Sequence, residues 1–161
     1  MSSPKRSGTA VDPSIKVIAK HRRAKFEYAV EETLEAGLEL RGSEVKGLRC
    51  GTATLSDSYA IPKDNQLFLL NAHIGTYNPS SVFSHEPTRS RRLLVHRAEI
   101  DRWTAKVRER GYVIIPLMLY FKNGLAKVQL GLCRGKTHED RRSDIKERET
   151  QREIDRALRR R

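Results

Sequence analysis

Five histidines, at His21, His73, His85, His96 and His138, are the side chains of this 161-residue chain best suited to take a proton or a metal near neutral pH. None stands four residues from another with a glutamate between, so metal ligation has no spacing to support it, and no metal is expected. General acid–base chemistry needs a positioned group of suitable pKa, which His85 or His96 beside a Lys or Arg would supply in a nuclease. No carboxylate in sequence orients either histidine. Asp57-Ser58-Tyr59 reads as strand rather than as a nucleophile site, and no glycine-rich phosphate loop is present. Cys50 and Cys133 are isolated and read as reduced structural thiols. The expected catalytic set is empty and no cofactor is implied.

Binding chemistry is better supplied. Lys and Arg number 32 against 20 Asp and Glu, a net charge of +12, which draws the chain to phosphate backbones. The excess sits at the ends. Residues 1–25 carry seven bases and one acid, and residues 135–161 carry ten bases and seven acids. The run His21-Arg22-Arg23-Ala24-Lys25 leads into the first expected strand, and Arg89, Arg91 and Arg92 close a polar stretch, with Phe26, Tyr28, Tyr59 and Tyr77 available to stack on bases. The longest apolar run, nine residues from Val113 to Phe121 with Pro116 inside it, is too short to span a bilayer. With no export signal after the first basic residues, a cytoplasmic protein without membrane partners is expected.

The elements that must position these residues are mostly strands. Residues 1–17, rich in Ser, Gly, Pro and Lys, are expected to be a disordered leader. Alternation at Phe26, Tyr28 and Val30 starts a strand that continues toward Leu40, and Ser43 to Arg49 reads as a short helix capped by Ser43 and closed by Gly51. Runs at 54–61 and 66–74 flank the turn Pro62-Lys63-Asp64-Asn65 as a hairpin. Residues 75–92 are too polar and broken to pack and read as a long surface loop, after which Ile100, Trp103 and Val107 line a helix over 98–111. The last hairpin turns at Asn123-Gly124, between the apolar run and the alternation Ala126, Val128, Leu130, Leu132. The expected class is mainly β with short helices, an antiparallel oligonucleotide-binding-like β-barrel over 18–134.

The tail, residues 135–161, has only Ile145, Ile154 and Leu158 as sizeable apolar side chains and cannot build a core. As a helix it stacks Arg148, Arg152, Arg156 and Arg160 at i, i+4 spacing into a basic stripe suited to a large polyanion.

The segments HRRAKFEYAVEETLEAGLELRGSEVKGLRCG, LSDSYA, NAHI, HEPTRSRRLLVHRAEIDR, PLMLYFKNGLAKVQLGLCRGK and DRRSDIKERE, in that order, resemble the SsrA-binding (small protein B) family over residues 18–160. The resemblance implies an oligonucleotide-binding-like barrel that binds the tRNA-like part of transfer-messenger RNA and brings it to stalled ribosomes for trans-translation, an adaptor and not an enzyme. It implies RNA contacts at Glu35, Leu94 and Lys127, with His21, Arg22, Arg23 and Lys25 matching a basic segment in which His21 replaces the usual Asn. It also implies that the tail, through Lys136, Arg141, Arg142, Lys146, Arg148, Arg152, Arg156 and Arg160, becomes helical in the messenger channel and decoding region of the small subunit. The family's Gly-Lys-Lys reads Gly135-Lys136-Thr137 here, and His138 stands one place from a tail histidine of some members. A monomer is expected. A ribosomal or ribosome-assembly RNA-binding protein, or a nuclease, are the alternatives that the residues by themselves leave open.

Overall fold

The structure, a computed structural model, describes residues 12–76, 85–109 and 111–159. Strands β1 (Ile15–Lys20), β2 (Tyr28–Leu38), β4 (Tyr59–Lys63), β5 (Gln66–Leu70), β7 (Arg91–Leu94), β8 (Tyr112–Lys122) and β9 (Leu125–Gly135) form one antiparallel sheet in the order β1-β8-β4-β5-β7-β2-β9. A further β8–β9 pairing closes it into a barrel. Because β9 runs along one edge of β8 for its whole length, β1 and β4 share the other edge, β1 opposite Lys122 to Met118 and β4 at Ile114. The change of partner falls at Pro116, a residue with no N–H to give to a ladder. The short strands β3 (Ala53–Thr54) and β6 (His73–Ile74) pair separately.

Both two-residue turns use left-handed backbone, Asp64-Asn65 with φ of 51° and 58° and Asn123-Gly124 with φ of 51° and 77°, the geometry that matches strand twist across a tight hairpin. Inward residues of β2 (Leu34, Ala36, Leu38), β5 (Leu67, Leu69), β8 (Ile114, Leu119, Phe121) and β9 (Val128, Leu130, Leu132) fill the barrel. Helix α3 (Arg97–Arg108) adds Ile100 and the fully buried Trp103 to this core, and Leu48 of helix α2 (Gly42–Arg49) packs there too. Trp103 also donates its indole N–H to Glu32 at 3.2 Å, and Lys106 pairs with the same carboxylate at 2.6 Å. These bonds hold Glu32 below the usual carboxylate range, Lys106 first among the causes.

Several sequence expectations change. The chain is ordered as a strand from Ile15, inside the expected leader, because β1 gains its partner from β8, about a hundred residues away, and no local turn announces it. Phe26 lies not in a strand but in a single helical turn, α1 (Ala24–Glu27), which buries Ala24 against Ile115 and Cys133 on the outside of the barrel. Ser43 is not the cap of α2. The chain enters that helix at Arg41, whose N–H is taken by Glu44 at 2.8 Å, while the Ser43 hydroxyl meets His85 Nδ1 at 3.0 Å. Cys133 is buried but Cys50 is exposed.

The described end of the polar stretch, residues 85–92, is anchored after all, because its charges are paired. Glu44 and Arg91 are both fully buried 2.9 Å apart, Arg89 reaches the same carboxylate at 2.8 Å, and Arg91 also donates to the carbonyls of Ala72 (2.7 Å) and Pro87 (3.0 Å). His85, buried beside them, bonds the Ile74 carbonyl at 2.8 Å. Tyr77 lies outside the described residues.

Helix α4 (His138–Arg159) follows β9 and buries none of its residues. Thr137 and Asp140 cap its start reciprocally: the Thr137 N–H and hydroxyl donate to the Asp140 carboxylate at 3.0 and 2.7 Å, and the Asp140 N–H returns to the hydroxyl at 3.3 Å. The base of α4 rests on α1. Lys136 bonds the Lys25 carbonyl and pairs with Asp144, and the Arg148 guanidinium lies 5.7 Å from the centre of the Phe26 ring. Among the described residues no helix is long and apolar enough to cross a membrane.

Candidate nucleic-acid interface

Residues directly opposite in neighbouring strands share a face of the sheet. Gly37 pairs with Leu94 on one side and with Lys127 on the other, Lys127 pairs with Tyr120, and Tyr120 with Val17. One row thus crosses β7, β2, β9, β8 and β1 on the outer face of the barrel. Glu35 stands two residues before Gly37 on this face, where the Lys127 charge acts on its carboxyl. Three of the expected RNA contacts, Glu35, Leu94 and Lys127, are therefore brought into one patch from strands scattered along the chain.

Local structure gives each of them its attitude. Leu94 is 50 % exposed although Leu93 beside it is buried, since the β7 alternation turns Arg91 and Leu93 inward and Arg92 and Leu94 outward. It leans over Gly37, where an added Cβ would lie 3.2 Å from its own. An exposed large apolar side chain that is not core is available for a partner. Glu35 accepts the Tyr120 hydroxyl and has Lys122 Nζ at 3.3–3.4 Å from its two oxygens. Tyr120 first, then Lys122 and Lys127, hold its carboxyl below the ordinary range, so Glu35 is ionised at neutral pH. Burial first, then the Glu35 bond and charge, raises the Tyr120 phenol, which stays protonated and a donor.

The second expected group lies elsewhere. His21 is buried at the end of β1, its N–H on the Leu117 carbonyl at 2.9 Å and its Nδ1 on the Pro116 carbonyl at 3.2 Å. The ring closes the ladder where β1 stops and is buried, unlike the exposed basic side chains that follow it. Arg22, Arg23 and Lys25 are exposed, Arg23 pairing with Glu27 at 3.1 Å. Arg22 and Arg23 line a cavity of about 670 Å³ between β1 and residues 53–57 that extends along β1 to Val17, the residue opposite Tyr120. Of the stacking candidates, Tyr59 is 40 % exposed and Phe26 and Tyr28 are half-buried.

In the tail, Arg148, Arg152 and Arg156 share the stripe that the spacing predicts, and Arg160 lies outside the described residues. Lys146 and Arg142 are exposed beside them, and Arg141 is half-buried. Among the described residues Arg152 and Arg156 enter no ion pair. No group of three His, Cys, Asp or Glu that could hold a metal is found among the described residues. Sequence reasoning missed Tyr120 and Gly37. The signal was present in β8, where Leu119 and Phe121 point inward and so turn Tyr120 and Lys122 toward Glu35.

A family model described as SmpB protein matches residues 18–160. An SsrA-binding protein of Myxococcus xanthus is 68 % identical over 160 residues, covering 99 % of each chain, and one from an Anaeromyxobacter species is 57 % identical over 154 residues, covering 96 % of this chain and 94 % of its own. Among solved structures, a chain described under "tmRNA-SmpB: a journey to the center of the bacterial ribosome" shares 40 % identity with a TM-score of 0.64, covering 78 % of this chain and 92 % of that one. With the family model matching residues 18–160 and these relatives covering nearly the whole chain, this protein belongs to the SmpB, or SsrA-binding, protein family.

Proposed function

We propose that this chain is the adaptor that binds the tRNA-like part of transfer-messenger RNA and brings it to stalled ribosomes for trans-translation. The observation that carries the reading is the family match over residues 18–160, nearly the whole described chain. The geometry supplies the chemistry. An exposed leucine, an outward lysine and an ionised carboxylate on a rigid sheet suit a folded RNA that offers bases and riboses as well as phosphates. The exposed arginines of α4 suit rRNA phosphates in the decoding region and messenger channel, and the helix has no core of its own to prefer. Lys136, Arg141, Arg142, Lys146, Arg148, Arg152 and Arg156 are the tail residues assigned to the ribosome, and Glu35, Leu94, Lys127, Arg22, Arg23 and Lys25 those assigned to the RNA. His21 acts through the fold, by fixing the turn that presents Arg22 and Arg23.

On this reading the chain works by binding rather than by catalysis, as a monomer in the cytoplasm. Sequencing the RNA that copurifies with it from cells tests the proposal. Enrichment of transfer-messenger RNA supports it, whereas stoichiometric ribosomal RNA without that species favours a permanent ribosomal component.

A further inference from the structure

A carboxylate is an odd group to find in the RNA-facing patch of a chain with a charge of +12. It repels phosphate and, when ionised, only accepts hydrogen bonds. What it can recognise in RNA is a donor: the N–H edge of an unpaired base, or a ribose 2′-hydroxyl. For that its oxygens must stay turned to solvent. Two cations compete for them, Lys122 at 3.3–3.4 Å and Lys127, whose charge also acts on the group. A flexible glutamate left to itself would fold onto one of them.

Tyr120 limits this to a long pairing with Lys122. Its ring is almost fully buried in the outer face, between Val17 on β1 and Lys127 on β9, so its hydroxyl stands at a fixed place and donates to Glu35 Oε2. One oxygen is pinned, Lys122 pairs only loosely with the carboxylate at 3.3–3.4 Å, and the Glu35 side chain stays 39 % exposed, open to a further donor. Resting on the RNA-binding reading above, we propose that Tyr120 is a positioning residue that aims the Glu35 carboxylate at a base or ribose donor of the bound RNA. The residue touches no RNA itself, and the interaction it serves carries no phosphate.

The test is a double-mutant cycle of Tyr120→Phe and Glu35→Ala, with titration of a synthetic tRNA-like domain at several salt concentrations. The Phe ring keeps the packing and removes only the donor. Tyr120→Phe is expected to weaken binding about tenfold, to add no further loss in the Glu35→Ala background, and to leave the slope of log affinity against log salt unchanged. Three outcomes overturn the proposal: parental affinity in Tyr120→Phe, a loss that persists when Glu35 is already Ala, or a flatter salt slope. If instead the parent protein shows no preference for the tRNA-like domain over a random duplex, the binding reading beneath the proposal fails with it.

Discussion

Glu44→Gln is expected to destabilise the fold by about 3 kcal/mol at neutral pH, and to do so less and less as the solution is acidified. Burial pushes the Glu44 carboxyl up, yet Arg89, the Arg41 N–H and Arg91 together hold it down at about 2 against an ordinary 4.5. The unfolded chain takes up that proton near 4.5 and the folded chain refuses it until about 2. The stability gained is therefore complete above about pH 4.5 and is lost between there and pH 2. At 1.36 kcal/mol per pH unit it amounts to about 3 kcal/mol. That is close to the 3–5 kcal/mol usual for removing one partner of a buried ion pair, here leaving Arg91 charged, enclosed and bonded only to the Ala72 and Pro87 carbonyls. For a domain of this size the midpoint of thermal unfolding should fall by about 10 °C at pH 7. Urea titrations of parent and variant at pH 7, 5 and 3 check the pH dependence, since the protonated parent approaches the glutamine variant. The gap at pH 3 should be less than half that at pH 7. A gap below about 1 kcal/mol at pH 7, or one of constant size from pH 3 to 7, would refute the claim that this pair ties α2 to β7 of the barrel.

Three further outcomes follow from the outer face and the tail. Lys127→Glu should weaken binding of the tRNA-like RNA at least about tenfold in a fluorescence titration while leaving the unfolding midpoint almost in place, because an outward strand position tolerates the charge change and a polyanion does not. Gly37→Ala should cost several-fold in the same titration, since the new Cβ, 3.2 Å from that of Leu94, displaces the exposed leucine and not the core. Replacing Arg148, Arg152 and Arg156 together by Gln keeps helix propensity. It should leave barrel stability and RNA affinity near parental values and abolish peptide tagging on stalled ribosomes; tagging at the parental rate would mark the stripe as a solvated face.

Legibility followed how local the information is. The β8–β9 hairpin was readable because Asn123-Gly124 and the flanking alternation lie within a few residues of each other. Strand β1 was not, because Ile15 to Lys20 alternate poorly and their partner is β8. The stretch before β7 read as an unpackable loop because its charges look solvated until Glu44, more than forty residues upstream, is seen to neutralise them. Of the expected contacts, Lys127 was the most readable, a cation at an outward strand position. Leu94 read equally well as core, and only the alternation Arg91, Leu93 inward against Arg92, Leu94 outward separates the two. His21 misled, because a basic run suggests exposure while the end of a ladder needs a donor for its open carbonyl. In the tail the spacing showed only the stripe that a helix would align, and the cap, Thr137 with Asp140, stands at the point where the family pattern has Lys.

The account turns on whether this chain recognises a folded tRNA-like RNA or only a polyanion. The direct measurement is a competition titration at near-physiological salt between the tRNA-like domain of transfer-messenger RNA and a random duplex of equal length. The account predicts a preference of about a hundredfold or more that persists as salt rises and both affinities fall. Equal affinities with equal salt slopes would contradict it and leave the outer patch as one more basic surface.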